Sequence, residues 1–191
     1  MKTYTKFLVV RHPIPRLVSS YWDKLTVHPG LDPLYIKIRK SVLHSVHPEY
    51  GTEELARKSP QFQDFIGKLL NPDWQYHSDR HWSPFHKLCS PCAIPWDYTL
   101  RLESIEDEAD PILRKLAESK GDLEHLADML KPKNKSPKHE TAQHEKNVIT
   151  EMLNLTLAQR IAISDMFETD LDLYGYGFDP ETAKVSYDFC S

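Results

Sequence analysis

The stretch KFLVVRHPIPRLVSSYWDK, Lys6 to Lys24, decides the reading of this chain. Phe7-Leu8-Val9-Val10 is a short, uninterrupted apolar run of the kind buried on both faces of a parallel sheet, so a strand is expected there. Arg11 falls where that strand ends, His12-Pro13 turns the chain, and a helix follows. Pro13 and Pro15 are compatible with that helix because they fall in the turn and the first helical turn. On the helix Leu17, Val18, Tyr21 and Leu25 form an apolar face, while Arg16, Ser19 and Asp23 recur at helical spacing on another. Strand, Arg, then a helix carrying Arg and Ser makes an anion cradle at the carboxyl edge of a sheet, where open α/β folds bind ligands. An Arg at a strand end serves equally well as a surface ion pair, and the pattern alone leaves both readings open.

Working outward, 191 residues with 40% apolar content fit a single domain with a real core. The net charge of −4 carries no nucleic-acid footprint. No apolar run is long enough to span a bilayer, and the chain opens onto a core strand rather than a signal segment. Thr52 to Leu70 reads as a helix interrupted near Pro60, with Leu55, Phe62, Phe65, Ile66 and Leu69 as its buried side. Ile105 to Met129 reads as two amphipathic helices broken at Lys120-Gly121. Leu130 to Lys146 is lysine-rich and almost devoid of apolar residues, which predicts an exposed, mobile loop. Val148 to Leu173 returns to helical periodicity through Ile149, Met152, Leu153, Leu157, Ile161 and Met166.

Cys89-Ser90-Pro91-Cys92 admits three readings from its residues: a redox pair, half a zinc site with His81 and His86, or a local disulfide. A redox pair should open a helix after a strand, whereas Pro84 and Pro95 bracket this one in loop. Zinc would need further ligands at an unfamiliar spacing. Of ten histidines, His81 is singled out by its Asp79-Arg80-His81-Trp82 segment. It titrates in the range a general base needs, and Asp79 is placed to orient it; alternatively His81 and Trp82 brace the loop against the core.

RHPIPRLVSSYWDK resembles the 3'-phosphate-binding motif of the Golgi carbohydrate sulfotransferases, in particular the group of chondroitin and dermatan 4-O-sulfotransferases and the HNK-1 sulfotransferase. The family form carries an acid where this chain has His12, Glu at Pro15 and a basic residue at Trp22. A second segment, His77 to Ala109, resembles the family's Asp-x-His-Trp-x-Pro…Leu-Cys-x-Pro-Cys…Glu-(Thr/Ser)-Leu-Glu-Asp run. Asp79, His81, Trp82, Pro84, Cys89, Cys92, Asp97, Glu103 and Ser104 are among its matching positions. A third, MFETDLDLYGYGFDP, is similar to the family's terminal motif through Asp170, Leu173, Tyr174, Gly175 and Tyr176.

The resemblance implies a P-loop-like α/β sulfotransferase fold, a parallel sheet flanked by helices. It implies one partial domain over residues 1–191, lacking the first strand and the Lys-bearing phosphosulfate loop. It also implies transfer of a sulfuryl group from PAPS to a glycan or glycosaminoglycan hydroxyl, with no metal. Arg11 and Ser19 would hold the donor's 3'-phosphate and Arg16 would shape the site, with His81 and Asp79 on the acceptor side. Loss of the acid and the Glu at His12 and Pro15 removes two charges that orient neighbouring arginines. The family's setting is the Golgi lumen, with a type II membrane anchor in the full-length protein. There a bridge involving Cys89 and Cys92 is the simplest expectation, with Cys190 left over. Asn134 and Asn154 head glycosylation sequons. A non-catalytic glycan- or PAP-binding short isoform is the alternative function.

Overall fold

The structure, a computed structural model, describes residues 4–120 and 138–187. In chain order it runs β1 (Phe7–Val10), α1 (Pro13–Leu25), α2 (Pro33–Val46), α3 (Thr52–Arg57), α4 (Phe62–Leu69), α5 (Phe85–Cys89) and β2 (Tyr98–Arg101). A short 3-10 turn, Leu102–Ser104, leads into α6 (Ile105–Lys120); then come α7 (Lys138–Leu153), α8 (Leu157–Tyr174), β3 (Tyr176–Asp179) and β4 (Lys184–Tyr187). β1 and β2 pair in parallel, with Phe7 opposite Tyr98 and Val10 opposite Arg101. A parallel pair requires a long crossover, and here α1 to α5 supply it. β3 and β4 form a separate antiparallel hairpin with Tyr176 opposite Tyr187. The architecture is α/β, as expected, with a small parallel sheet among the described residues.

The strand and helix read from Lys6–Lys24 are both present, with one correction. β1 buries Leu8 and Val10, but Val9 is 40% exposed, so the run is not covered on both faces. The reason lies in what packs on each side. Leu8 and Val10 join the main core, whereas among the described residues the opposite face meets a small cluster of Phe7, Leu100, Ile105 and Ala109 with Ile112 and Leu113 of α6. Strand residues alternate faces, so Val9 shares that thinner side with Phe7.

The main core forms around α1. Ile14, Leu17, Val18 and Leu25 are fully buried, beside Tyr21. They pack in one cluster with Phe62, Phe65, Ile66 and Leu69 of α4 and with Trp82. Tyr21 meets Phe62 edge-on at 5.2 Å, and its hydroxyl donates to the Pro60 carbonyl at 2.8 Å. That bond ties α1 to the break between α3 and α4, the interruption expected near Pro60. Side chains of this size contribute about 1.5–3 kcal/mol each on burial.

Elsewhere the expectations fare unevenly. α2 was not foreseen, although Asp32 caps it through Leu34 N–H and Pro33 opens it. Of the two helices expected over Ile105–Met129, α6 ends at Lys120 and the second lies outside the described residues. The expected loop at 130–146 is corrected from Lys138 onward, where α7 runs. Its downstream end is anchored by the buried Val148 and Met152, and a polar stretch rich in good helix formers can extend such an anchored helix. Residues 130–137, including Asn134, lie outside the described residues.

The single period read over Val148–Leu173 is also corrected. The helix breaks before Thr156, which caps α8 through Gln159 N–H in a reciprocal capping box. The break resets the phase. Ile149, Leu153, Leu157 and Ile161 are 40–52% exposed, while Val148, Leu155, Ile163, Phe167 and Leu171 are buried.

Candidate functional site

Arg11 leaves β1 one residue past its end, and Glu103 lies two residues past the end of β2, so both sit at the carboxyl edge of the parallel pair. Glu103 links two other segments. One carboxylate oxygen accepts the backbone N–H of His12 at 2.8 Å, and the other accepts the Tyr176 hydroxyl at 2.9 Å. Burial lowers the Arg11 pKa, and Glu103 is the foremost group opposing that shift, followed by Tyr187 and Tyr176. The three similar segments of the sequence therefore meet at one place: residues 11–12, Glu103 and the β3–β4 hairpin.

His12 fastens this junction. Its Nδ1 accepts the Ile14 N–H at 3.2 Å, capping α1, and Nε2 lies 3.0 Å from the Gly177 carbonyl. An acceptor at one nitrogen and a carbonyl at the other require the proton on Nε2. The ring is fully buried beside Tyr176 at 4.8 Å and edge-on to Tyr187 at 5.4 Å. Burial pushes its pKa down to about 4, outweighing the Gly177 contact, so it is neutral at ordinary pH.

Arg16 faces a different neighbour. Its Nη2 donates to the Ser83 carbonyl, and its guanidinium lies 4.1 Å from the centre of the Phe85 ring. Burial brings its pKa down to about 10 despite the nearby Asp170 carboxylate. Asp170, fully buried on α8, accepts the backbone N–H groups of Phe85 at 2.5 Å and His86 at 2.9 Å, and its Oδ1 lies 2.8 Å from His86 Nδ1. It caps α5 and holds that helix against α8. Ser19 is half-buried on α1, one turn beyond Arg16. The following residue, Ser20, shares its hydroxyl proton between the carbonyls of Arg16 at 2.8 Å and His81 at 2.7 Å.

His81 is brought to the middle of α1 by that bond, beside Ser19 but away from His12. The eight-residue rise from His12 to Ser20 separates the two places by about 12 Å along the helix. The His81 ring meets Tyr35 edge-on at 5.2 Å, and its buried Nε2 has no hydrogen-bond partner among the described residues. Burial lowers its pKa against the pull of Asp79. Asp79 was expected to orient the ring; its Oδ1 instead accepts the backbone N–H of His81 at 2.9 Å. A short Asp side chain bonds readily to the backbone two residues on, and here that turn takes precedence. Trp82 is fully buried, donates Nε1–H to the Tyr76 carbonyl at 2.9 Å, and stacks on Trp74 at 6.1 Å. The bracing role read for this pair is plainly present for Trp82.

Cys89 and Cys92 are both free thiols, which corrects the expected bridge. Cys89 ends α5 and packs against the core, and burial raises its pKa. Ser90 then turns the chain into the left-handed region, φ 44°, and Cys92 is exposed beyond it. Cys190 lies outside the described residues. Asn154 is exposed at the break between α7 and α8. Among the described residues no group of three or more His, Cys, Asp or Glu side chains is arranged to hold a metal, and no helix is long and apolar enough to cross a membrane.

Comparison with known proteins places this geometry in context. The model of a sulfotransferase family matches residues 1–177. Human carbohydrate sulfotransferase 10 is 28% identical over 182 residues, covering 92% of this chain and 48% of its own. Human carbohydrate sulfotransferase 9 is 31% identical over 180 residues, covering 92% of this chain and 38% of its own. Mouse carbohydrate sulfotransferase 8 is 38% identical over 117 residues, covering 60% of this chain and 27% of its own. The chain thus spans about half or less of the length of these curated relatives. No solved structure matches it significantly.

Proposed function

Given that the chain belongs to the sulfotransferase family, we propose that it takes part in transferring a sulfuryl group from PAPS to a hydroxyl of a glycan, releasing PAP. The acceptor class follows the names of the relatives, which are carbohydrate sulfotransferases. Chondroitin, dermatan and the terminal sugar of an N-glycan are the acceptors proposed. The setting proposed is the Golgi lumen, with the full-length protein anchored as a type II membrane protein.

In this reaction the acceptor oxygen forms a bond to sulfur as the bond from sulfur to the bridging phosphate oxygen breaks, and the acceptor proton leaves to a base. Such transfers depend on position and on fixed charge rather than on covalent help from the protein. Arg11 and Ser19 hold the donor's 3'-phosphate in this reading. Arg16, pinned between Ser83 and Phe85, shapes the wall beside them. His81 receives the acceptor proton; burial keeps its imidazole neutral and able to accept one. The observation that carries the reading is Arg11 at the carboxyl end of a parallel strand, directly before a helix bearing Arg16 and Ser19.

Titration calorimetry with PAP tests it. Wild-type chain should bind, and Arg11→Ala should bind roughly 10- to 150-fold more weakly, the equivalent of a lost charge-assisted bond of about 1.5–3 kcal/mol. Equal affinities would overturn the assignment of Arg11. PAP binding without transfer of labelled sulfate to any of these glycans would instead favour the non-catalytic reading.

A further inference from the structure

Outside the Arg11 edge, the chain leaves a cleft of about 480 Å³ between α4, the end of α2 and the start of α8. Small-molecule sites run to roughly 300–1,000 Å³, so its size suits a ligand. α4 buries Phe62, Phe65, Ile66 and Leu69 and turns Gln63, Asp64, Gly67 and Lys68 the opposite way, where they line the cleft. Gly67 is exposed there, with no positive φ, and no heavy atom lies within 4 Å of where a β-carbon would stand. Neither packing nor backbone geometry calls for glycine, which is a poor residue inside a helix. What its missing side chain leaves is an unobstructed floor.

The polar groups around that floor are already oriented. Asn71 Oδ1 accepts the Asp73 N–H at 3.0 Å and Gln159 Oε1 accepts the Thr156 N–H at 3.0 Å, so each amide is fixed with its NH2 group left to donate. Asp64 gives one oxygen to the Gln61 N–H at 2.9 Å, and the Ser45 hydroxyl donates to the Val42 carbonyl at 2.6 Å, which leaves acceptor capacity on both. The Lys68 charge offsets that of Asp64. A neutral cleft with interleaved donors and acceptors suits sugar hydroxyls, each of which donates and accepts, better than it suits a phosphate or a uronate. We propose that this cleft is a second glycan site, which holds a neutral sugar unit away from the Arg11 edge. The inference rests on the reading of the acceptor as a glycan and adds a place for a part of it that does not react. The face of α4 that packs on α1 is the opposite one, so the two places lie on different sides of that helix.

The experiment is an amide NMR titration of the full chain with the neutral tetrasaccharide lacto-N-neotetraose, repeated with a chondroitin tetrasaccharide and, separately, with PAP. The neutral sugar should give saturable shifts at Gln63, Gly67 and Asn71. Gly67→Leu, which fills the floor, should bind it at least about tenfold more weakly while unfolding at no lower a temperature than wild type, since nothing there is displaced. Asn71→Asp keeps the acceptor for the Asp73 N–H but loses the NH2 donors, and should weaken binding about tenfold. No saturable binding of the neutral sugar, or equal binding by Gly67→Leu, would overturn the site, and tighter binding of chondroitin at the same amides would overturn the neutral class. Loss of the cleft signal with PAP still bound fails this inference alone. PAP failing to bind while the tetrasaccharide binds fails the reading of the Arg11 edge and leaves the cleft standing.

Discussion

Of the three segments that carry family-like signatures, the molecule uses the first two in opposite ways. At the β1–α1 junction, polar groups from residues 11–12, from Glu103 and from the hairpin converge at the edge of the sheet. In the loop from His77 to Cys92 the signature turns inward. Trp82 is fully buried, Asp79 serves the backbone of His81, and Cys89 packs on the core. A recognisable motif therefore locates a residue without deciding its work. The first segment gathers polar groups at the edge of the sheet, with Arg11 and Ser19 half-buried; the second chiefly holds the fold together.

If that contrast is right, the largest stability loss should come from the loop. Trp82→Ala removes a fully buried indole and the bond to Tyr76, and should cost about 3–5 kcal/mol in denaturant unfolding. A loss below about 1 kcal/mol would break the comparison at its structural end.

Next in size is a pH effect at the junction. The His12 pKa is lowered to about 4 in the folded chain from 6.5, so the unfolded chain binds its proton first as pH falls. The stability this neutral, buried ring secures is fully present above about pH 6.5 and is lost progressively as pH falls towards 4; integrated, the loss is on the order of 3 kcal/mol. Urea unfolding across that range should show the decline, and His12→Asn, which keeps a capping side chain, should flatten it. A variant with the wild-type slope would assign the decline to other groups.

Arg11→Ala should invert the loop's pattern, weakening PAP binding roughly 10- to 150-fold while changing stability by less than about 1 kcal/mol. The smallest effect concerns the thiols. Cys92 is exposed and Cys89 is half-buried with a raised pKa, so in native protein Cys92 should react with a disulfide reagent well before Cys89. Equal rates would mean that α5 does not shield Cys89.

Much of the first segment was legible because it is local. The apolar run, the prolines at the helix start and the spacing of Leu17, Val18, Tyr21 and Leu25 all act within a few residues, and all are realised. The site's partners were not legible in the same way. Glu103 and Tyr176 meet across 73 residues and His12 and Gly177 across 165, and no periodicity records such pairings. Their segments stood out only by resemblance. Asp170 stood out the same way, with nothing to say that it would cap α5. Other misses were readable in principle. Asp32-Pro33 is an ordinary helix start. Thr156 completes the sequon that Asn154 heads, and with Gln159 it is also the cap that breaks the long helix and turns Ile149, Leu153, Leu157 and Ile161 outward.

The most direct test of the central claim is a titration of isotopically labelled chain with PAP, followed by NMR of the arginine side chains and backbone amides. The account predicts the earliest and largest changes at the Arg11 guanidinium and the Ser19 amide, with His81 and its neighbours little affected. Saturable binding that leaves Arg11 and Ser19 unmoved, or that perturbs only the His81 loop, would contradict it.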